Sequence, residues 1–326
     1  MLSYIARRIL YSIPVLIVAS FLTFWGLRIA FDPLAKYRNL HSPDAAANLL
    51  QHKKELGLDS PIAVQWWHWL TKALHGNLGI SQRTNNPVFG ELIHKMGTTV
   101  HLVFWGTLIS ALLAIGIGLY SAVKQYSAGD YIFTGASYLG IAMPPFWFGL
   151  MAIVIFVTWP VTTFHLQQPI LYSIGLHGTG QSGIFNLDYY RHLALPVATL
   201  VVQSVASWSR FERASMLDVL SADYIRTAQA KGVPRRKVIF KHAFRNALIP
   251  LVTVMALDTA YLFGGLIITE QIFSISGMGR YFIDSLTAGD APALLGWMLF
   301  TAFFIILFNL IADVMYGVLD PRIRLS

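Results

Sequence analysis

Six stretches of this chain stay apolar for about the 20 residues a helix needs to cross a bilayer, and that limits the fold more than any other feature. They run over residues 9–31, 98–123, 131–159, 192–220, 247–273 and 291–318. Hydrocarbon offers the backbone no hydrogen-bond partners, so runs of this kind form helices that satisfy their own N–H and C=O groups. The expected fold class is all-α: a polytopic membrane protein of six transmembrane helices in contact with the lipid bilayer. The composition, 55% hydrophobic and only 12% charged residues, agrees. No cysteine is present, which excludes disulfides in the outer loops and thiol or cysteine-ligated metal chemistry.

Arg7 and Arg8 precede the first run and hold the amino terminus in the cytoplasm under the positive-inside rule. The apolar core of a cleaved signal peptide would span only about 7 to 15 residues, so this run is read as a retained span. Six crossings return both termini to the cytoplasm, in keeping with Arg322 and Arg324 near the end of the chain. The expected divisions are 1–97, the first helix and a long outer loop; 98–318, a five-helix core; and 319–326, a cytoplasmic tail. In the outer loop, Ser60 as cap, Pro61 as first-turn residue and Gly76 as terminator predict a short helix. Its Trp66, Trp67 and Trp69 suit a position on the outer leaflet or at the bundle mouth.

Gly106, Ser110, Ala114 and Gly118 recur every four residues, so the second span presents a stripe of small side chains that lets a neighbouring helix approach closely. Pro144 and Pro145 interrupt the third span and free carbonyls that need partners in the protein or in a wet cavity. Their expected place is a kink beside a pathway.

Between the fourth and fifth spans lies a basic island at 221–246, with Arg226, Lys231, Arg235, Arg236, Lys237, Lys241 and Arg245. Each such cation costs about 2.5 to 3.5 kcal/mol at the bilayer centre, so the island belongs in water, on the cytoplasmic side. Gly232 ends one short helix and Pro234 opens a second, giving an elbow suited to docking. The island lacks the aromatic stacking pattern of a single-strand binder, and no nucleic-acid partner is expected.

Chemistry that would make the chain self-sufficient is missing. There is no Gly-Lys dipeptide and hence no phosphate-cradling P-loop. The histidines are scattered, in keeping with structural hydrogen bonding, so the chain is expected to be no enzyme. Ionisable residues at membrane depth are functional candidates. Asp258 is the sharpest, as a residue facing a wet path that could receive a substrate ammonium; neutralisation or a neighbouring span is the structural alternative. Glu212 and Asp313 are expected to pair with Arg210, Arg213 or Arg322.

The runs DYIRTAQAKG at 223–232 and KHAFRNALIP at 241–250 resemble the cytoplasmic EAA loop of ABC importer permeases, specifically the peptide and nickel branch. Arg226, Thr227 and Ala228 stand where many other importers carry Glu-Ala-Ala. ELGLDSP at 55–61, GNLGIS at 76–81, PPFWFG at 144–149, EQIFS at 270–274 with Gly277 and Gly279, and DPRIR at 320–324 are similar to the family's first permease subunit.

The resemblance implies a type I ABC importer permease in a bacterial cytoplasmic membrane that serves ATP-driven uptake of oligopeptides or dipeptides. It implies a homologous second permease, two ATPase subunits or one fused ATPase, and an extracytoplasmic peptide-binding protein. No cofactor is expected in this chain; ATP and Mg would sit on the ATPases. The ATPase-coupling residues implied are Tyr224, Arg226, Thr227, Ala228, Ala230, Lys231, Gly232, Val233, Pro234 and Arg235. The substrate-path candidates are Asp258, Pro144 and Pro145. A nickel-chelate or glutathione permease of the same family is the nearest alternative. From another class, an ion-coupled secondary transporter would show inverted repeats, which are not evident.

Overall fold

Apolar length becomes helix length. In this computed structural model residues 2–32, 34, 49–51, 53–54, 57–178, 180, 183, 186–263 and 266–319 are described. The long helices are α1 (Leu2–Ala30), α3 (Val88–Val123), α6 (Leu187–Ser221), α8 (Arg235–Leu262) and α11 (Ala291–Leu319). Shorter ones are α2 (Ile62–Leu74), α4 (Ala128–Ala142), α5 (Pro145–Phe164), α7 (Asp223–Ala230), α9 (Ile267–Ile272) and α10 (Met278–Thr287). The fold is all-helical: among the described residues the one β feature is an isolated bridge between Ile80 and Pro87.

Five helices, α1, α3, α5, α8 and α11, are long and apolar enough to cross a membrane. The remaining long helix, α6, has 35 residues, but it carries His192, Gln203, Arg210, Glu212 and Arg213. It can be this polar because it sits in the middle of the bundle, between α3, α4 and α8.

Close contacts fix the directions. Gly106 meets Leu200, and twelve residues further on Gly118 meets Glu212, so α3 and α6 run parallel. Asp130 with Arg213 and Gln203 with Met143 make α4 antiparallel to α6. Trp208 with Asp258 and Ser215 with Ala247 do the same for α8. Arg8 pairs with Asp313 at 3.0 Å at one end of α1 and α11, and Phe31 lies against Gly289 at the other. This up-and-down alternation is consistent with six crossings.

The small-residue stripe works as expected. A Cβ on Gly118 would stand 2.6 Å from Glu212 Cβ and 2.8 Å from the Ser209 carbonyl, and one on Gly106 would stand 3.0 Å from Leu200. Gly106, Ser110, Ala114 and Gly118 are all buried.

Several expectations are corrected. The third crossing is two helices, α4 and α5, that meet at Pro144, because proline disfavours helical geometry in the residue before it and cannot donate to the turn. The fifth crossing starts at Arg235, well before 247, and ends at Leu262; 267–272 is the separate α9. Ser60 does not cap α2: Pro61 takes that position with no side-chain cap bond, and Gln65 Nε2 donates to the Ser60 carbonyl at 2.8 Å. Asp313 pairs with Arg8, a residue far away in sequence, and Arg213 pairs with Asp130. Neither carboxyl oxygen of Glu212 has a hydrogen-bond partner among the described residues. Glu55 and 320–326, including Arg322, lie outside the described residues.

The α2 helix packs on α1. Trp66 Nε1 donates to Ser20 Oγ at 3.2 Å, and its ring meets Phe21 edge-on.

At the bundle end away from the elbow, two buried carboxylates tie loops together. Asp290 accepts from Ser81 Oγ, Arg83 N and Ala293 N, capping α11 and pinning the GNLGIS turn. Glu270 accepts from Thr99 Oγ1 at 2.8 Å and Arg280 N at 2.9 Å, so α10 is capped from α9. Glycine at 277 is required because its Cβ would fall on the Glu270 carboxylate, and glycine at 279 because its Cβ would lie 2.6 Å from Ile267 N.

Candidate functional site

The elbow begins where α6 stops at Ser221 and α7 turns off at Asp223. Helix α7 ends in a paired cap: Val233 N donates to Ala228 O at 3.2 Å and Gly232 N to Gln229 O at 2.9 Å. Such a cap needs a left-handed residue in its middle, where glycine has no Cβ penalty. Gly232 supplies it with φ +73.

Pro234 then opens α8 with its carbonyl accepting from Lys237 N and Val238 N. The second arm is not a short helix, as the sequence suggested. It continues through a wide π-turn at Val238–Ala243 into the crossing helix without a break.

The elbow carries its own apolar core. Ile225, Val238, Ala243 and Ala247 are buried with Met216 and Ala122, and Ala228 and Val233 pack against them half-buried. A fully buried aliphatic side chain such as Ile225 contributes about 1.5 to 3 kcal/mol, which holds the elbow to the bundle.

Of the coupling candidates, Ala228 and Val233 therefore face inward. Tyr224, Arg226, Thr227, Ala230, Lys231, Gly232, Pro234 and Arg235 are exposed. Tyr224 Oη accepts from Asn246 Nδ2 at 2.9 Å, which joins the two arms. The Arg226 to Asp223 pair at 3.7 Å is fully in solvent, where such pairs contribute little. The outer surface is cationic, with Arg236, Lys237 and Lys241 beside a groove at Phe240.

The path candidates flank α6. Asp258 is exposed, and its Oδ2 accepts from the buried Trp208 Nε1 at 2.7 Å. This bond fixes the carboxylate while leaving it accessible. The Met143 carbonyl, left outside both helices at the break, accepts from Gln203 Nε2 at 3.0 Å, so it is satisfied inside the protein. Pro144 and Asp258 thus both border α6.

Sequence reasoning missed Gln203 and Trp208. A glutamine within an apolar run was the available signal for the first; indole N–H groups give none until a partner is seen.

Comparison with known proteins agrees with this architecture. Residues 114–325 match the family model described as binding-protein-dependent transport system inner membrane component, and 1–104 match its N-terminal companion. The chain belongs to this family of transporter membrane subunits. More particularly, it sits among the dipeptide and oligopeptide ABC permeases. It is 38% identical to the dipeptide transport system permease protein DppB of Escherichia coli K12, over 99% of each chain. It is 34% identical to the oligopeptide permease AppB of Bacillus subtilis, over 99% of this chain and 100% of that one. To OppB of Mycobacterium tuberculosis H37Rv it is also 34% identical, over the full length of both. An amino acid ABC transporter crystal structure aligns over 72% of this chain at 11% identity and a TM-score of 0.49, a likeness too distant to bear on function.

Proposed function

We propose that the chain is one permease half of an ATP-driven importer that carries dipeptides or oligopeptides into the cytoplasm across a bacterial inner membrane. Its full-length relatives are permeases named for those cargoes. The elbow faces the cytoplasm, as its cations favour, and seats in a groove of an ATPase subunit that holds ATP and Mg. A homologous permease completes the channel, and a binding protein delivers peptide from outside. The observation that supports the coupling role is the glycine-capped knob of α7, whose second arm past Pro234 runs without a break into a crossing helix. A two-state bundle responds to a partner that binds its two states differently, and a knob gripped by a closing ATPase pair provides that difference.

The test is purification of the tagged chain in mild detergent, followed by reconstitution. Two ATPase chains or a fused one and a second permease should co-purify, and binding protein loaded with peptide should stimulate ATP hydrolysis. Recovery of the chain without any ATPase would overturn the reading.

Asp258 supports a finer point. Held by Trp208 and exposed, it offers a carboxylate for a cargo ammonium. Asp258→Asn keeps an acceptor for the indole but removes the charge, so peptide uptake should fall by about tenfold, the scale of a lost charged hydrogen bond, with assembly unchanged. Uptake equal to wild type would make the residue structural.

A further inference from the structure

Arg213 and Arg210 stand one turn apart on α6 and differ in one respect. Arg213 is committed: its Nε and Nη2 both donate to Asp130, at 2.8 and 2.9 Å. Arg210 has no carboxylate within ion-pair distance among the described residues. Its guanidinium lies 4.3 Å from the centre of the Tyr138 ring. The two side chains border a cavity of about 480 Å³ between α4 and α6, lined also by Thr134, Ser207 and Phe211.

Two features argue against this cation simply reaching for water. A helical side chain leans toward the start of its own helix, so Arg210 is directed away from the elbow end and deeper into the bundle. The face around it is also not a lipid face throughout, since Ser207 is exposed there and α6 lacks the apolar composition of the other long helices. A cation at this depth calls for an anion, and a ring face satisfies it only in part.

We propose that Arg210, backed by Tyr138, is an anion subsite on the translocation path that takes the terminal carboxylate of the cargo. The inference rests on the peptide-import reading and makes it more specific. A peptide carries an ammonium at one end and a carboxylate at the other. Helix α6 holds a group for each: Arg210 directly, and Asp258 through Trp208.

The test uses the complete transporter in proteoliposomes, with a free dipeptide and its C-terminal amide as cargoes. Arg210→Gln should lower uptake of the free peptide by about tenfold, leave the amide nearly unchanged and so remove the preference between them. Arg210→Lys should keep part of that preference. Using the ratio between variant and wild type cancels any selection by the binding protein. Unchanged ATP hydrolysis without cargo shows that the variant is assembled.

A second measurement exploits the lack of cysteine in this chain. Ser207→Cys should react faster with an anionic than with a cationic methanethiosulfonate, and adding Arg210→Gln should reverse the order. Three outcomes overturn the proposal: an Arg210→Gln variant that keeps the wild-type preference, a thiol at 207 that neither reagent reaches, or a wild-type loss of preference on removing anionic lipid, which would make a lipid phosphate the anion. A wild-type complex that carries no peptide would instead remove the import reading, and this subsite with it.

Discussion

Gly118→Val should largely prevent accumulation of the protein in the membrane. The Cβ of any larger residue would meet the Glu212 side chain at 2.6 Å and the Ser209 carbonyl at 2.8 Å, and the second of these is backbone. A flexible neighbour could move aside; a helix carbonyl moves only with its helix. Valine would therefore push α3 and α6 apart along the seam from Gly106 to Gly118, at a cost of about 1 to 3 kcal/mol. Marginally stable folds do not absorb such a loss easily. The check is the yield and thermal midpoint of the detergent-solubilised chain. Gly116→Ala is the control, because nothing lies within 4 Å of its position; it should be neutral or stabilising by a few tenths of a kcal/mol. If Gly118→Val matches that control, α3 and α6 are not packed as described.

Gly232→Val should give the opposite phenotype: normal accumulation with coupling lost. Nothing lies within 4 Å of a Cβ at this position, so no clash inside the chain is involved. The cost is in the backbone, about 1 to 2 kcal/mol for holding a side chain in the left-handed region at φ +73. The elbow core of Ile225 and Val238 survives, but the cap that joins Ala228 to Val233 does not, and the knob changes shape. Hydrolysis of ATP stimulated by peptide-loaded binding protein should drop to the unstimulated rate. Gly232→Asn, which tolerates the left-handed conformation, should keep part of the stimulation. Full stimulation in the valine variant would remove the coupling role.

Much of the architecture was readable from local pattern. Apolar length gave five of the long helices, the four-residue spacing gave the α3 to α6 seam, and Gly232 with Pro234 gave the turn between the elbow arms. Long-range pairing was not readable. Arg8 and Asp313 are brought together by antiparallel packing of the first and last long helices, and nothing near either residue announces it. The cap that Glu270 lends to α10 was visible only as an unexplained run of residues, since its reason lies in Thr99 on another helix. Pro144 marked a break, but the Gln203 amide on α6 decides what the Met143 carbonyl at that break does. The coupling candidates also separated by facing direction, which spacing alone left open: Ala228 and Val233 point into the elbow and their neighbours point out.

On the coupling reading proposed above, the continuous helix from Arg235 to Leu262 would make the elbow a crank. About 35 Å of helix axis separate Pro234 from Asp258. Swinging that shaft by only about 10° around its basic end would carry the Asp258 carboxylate sideways by roughly 6 Å, more than the width of a peptide backbone step. On that reading a small rotation at the handle becomes a large stroke at the far end.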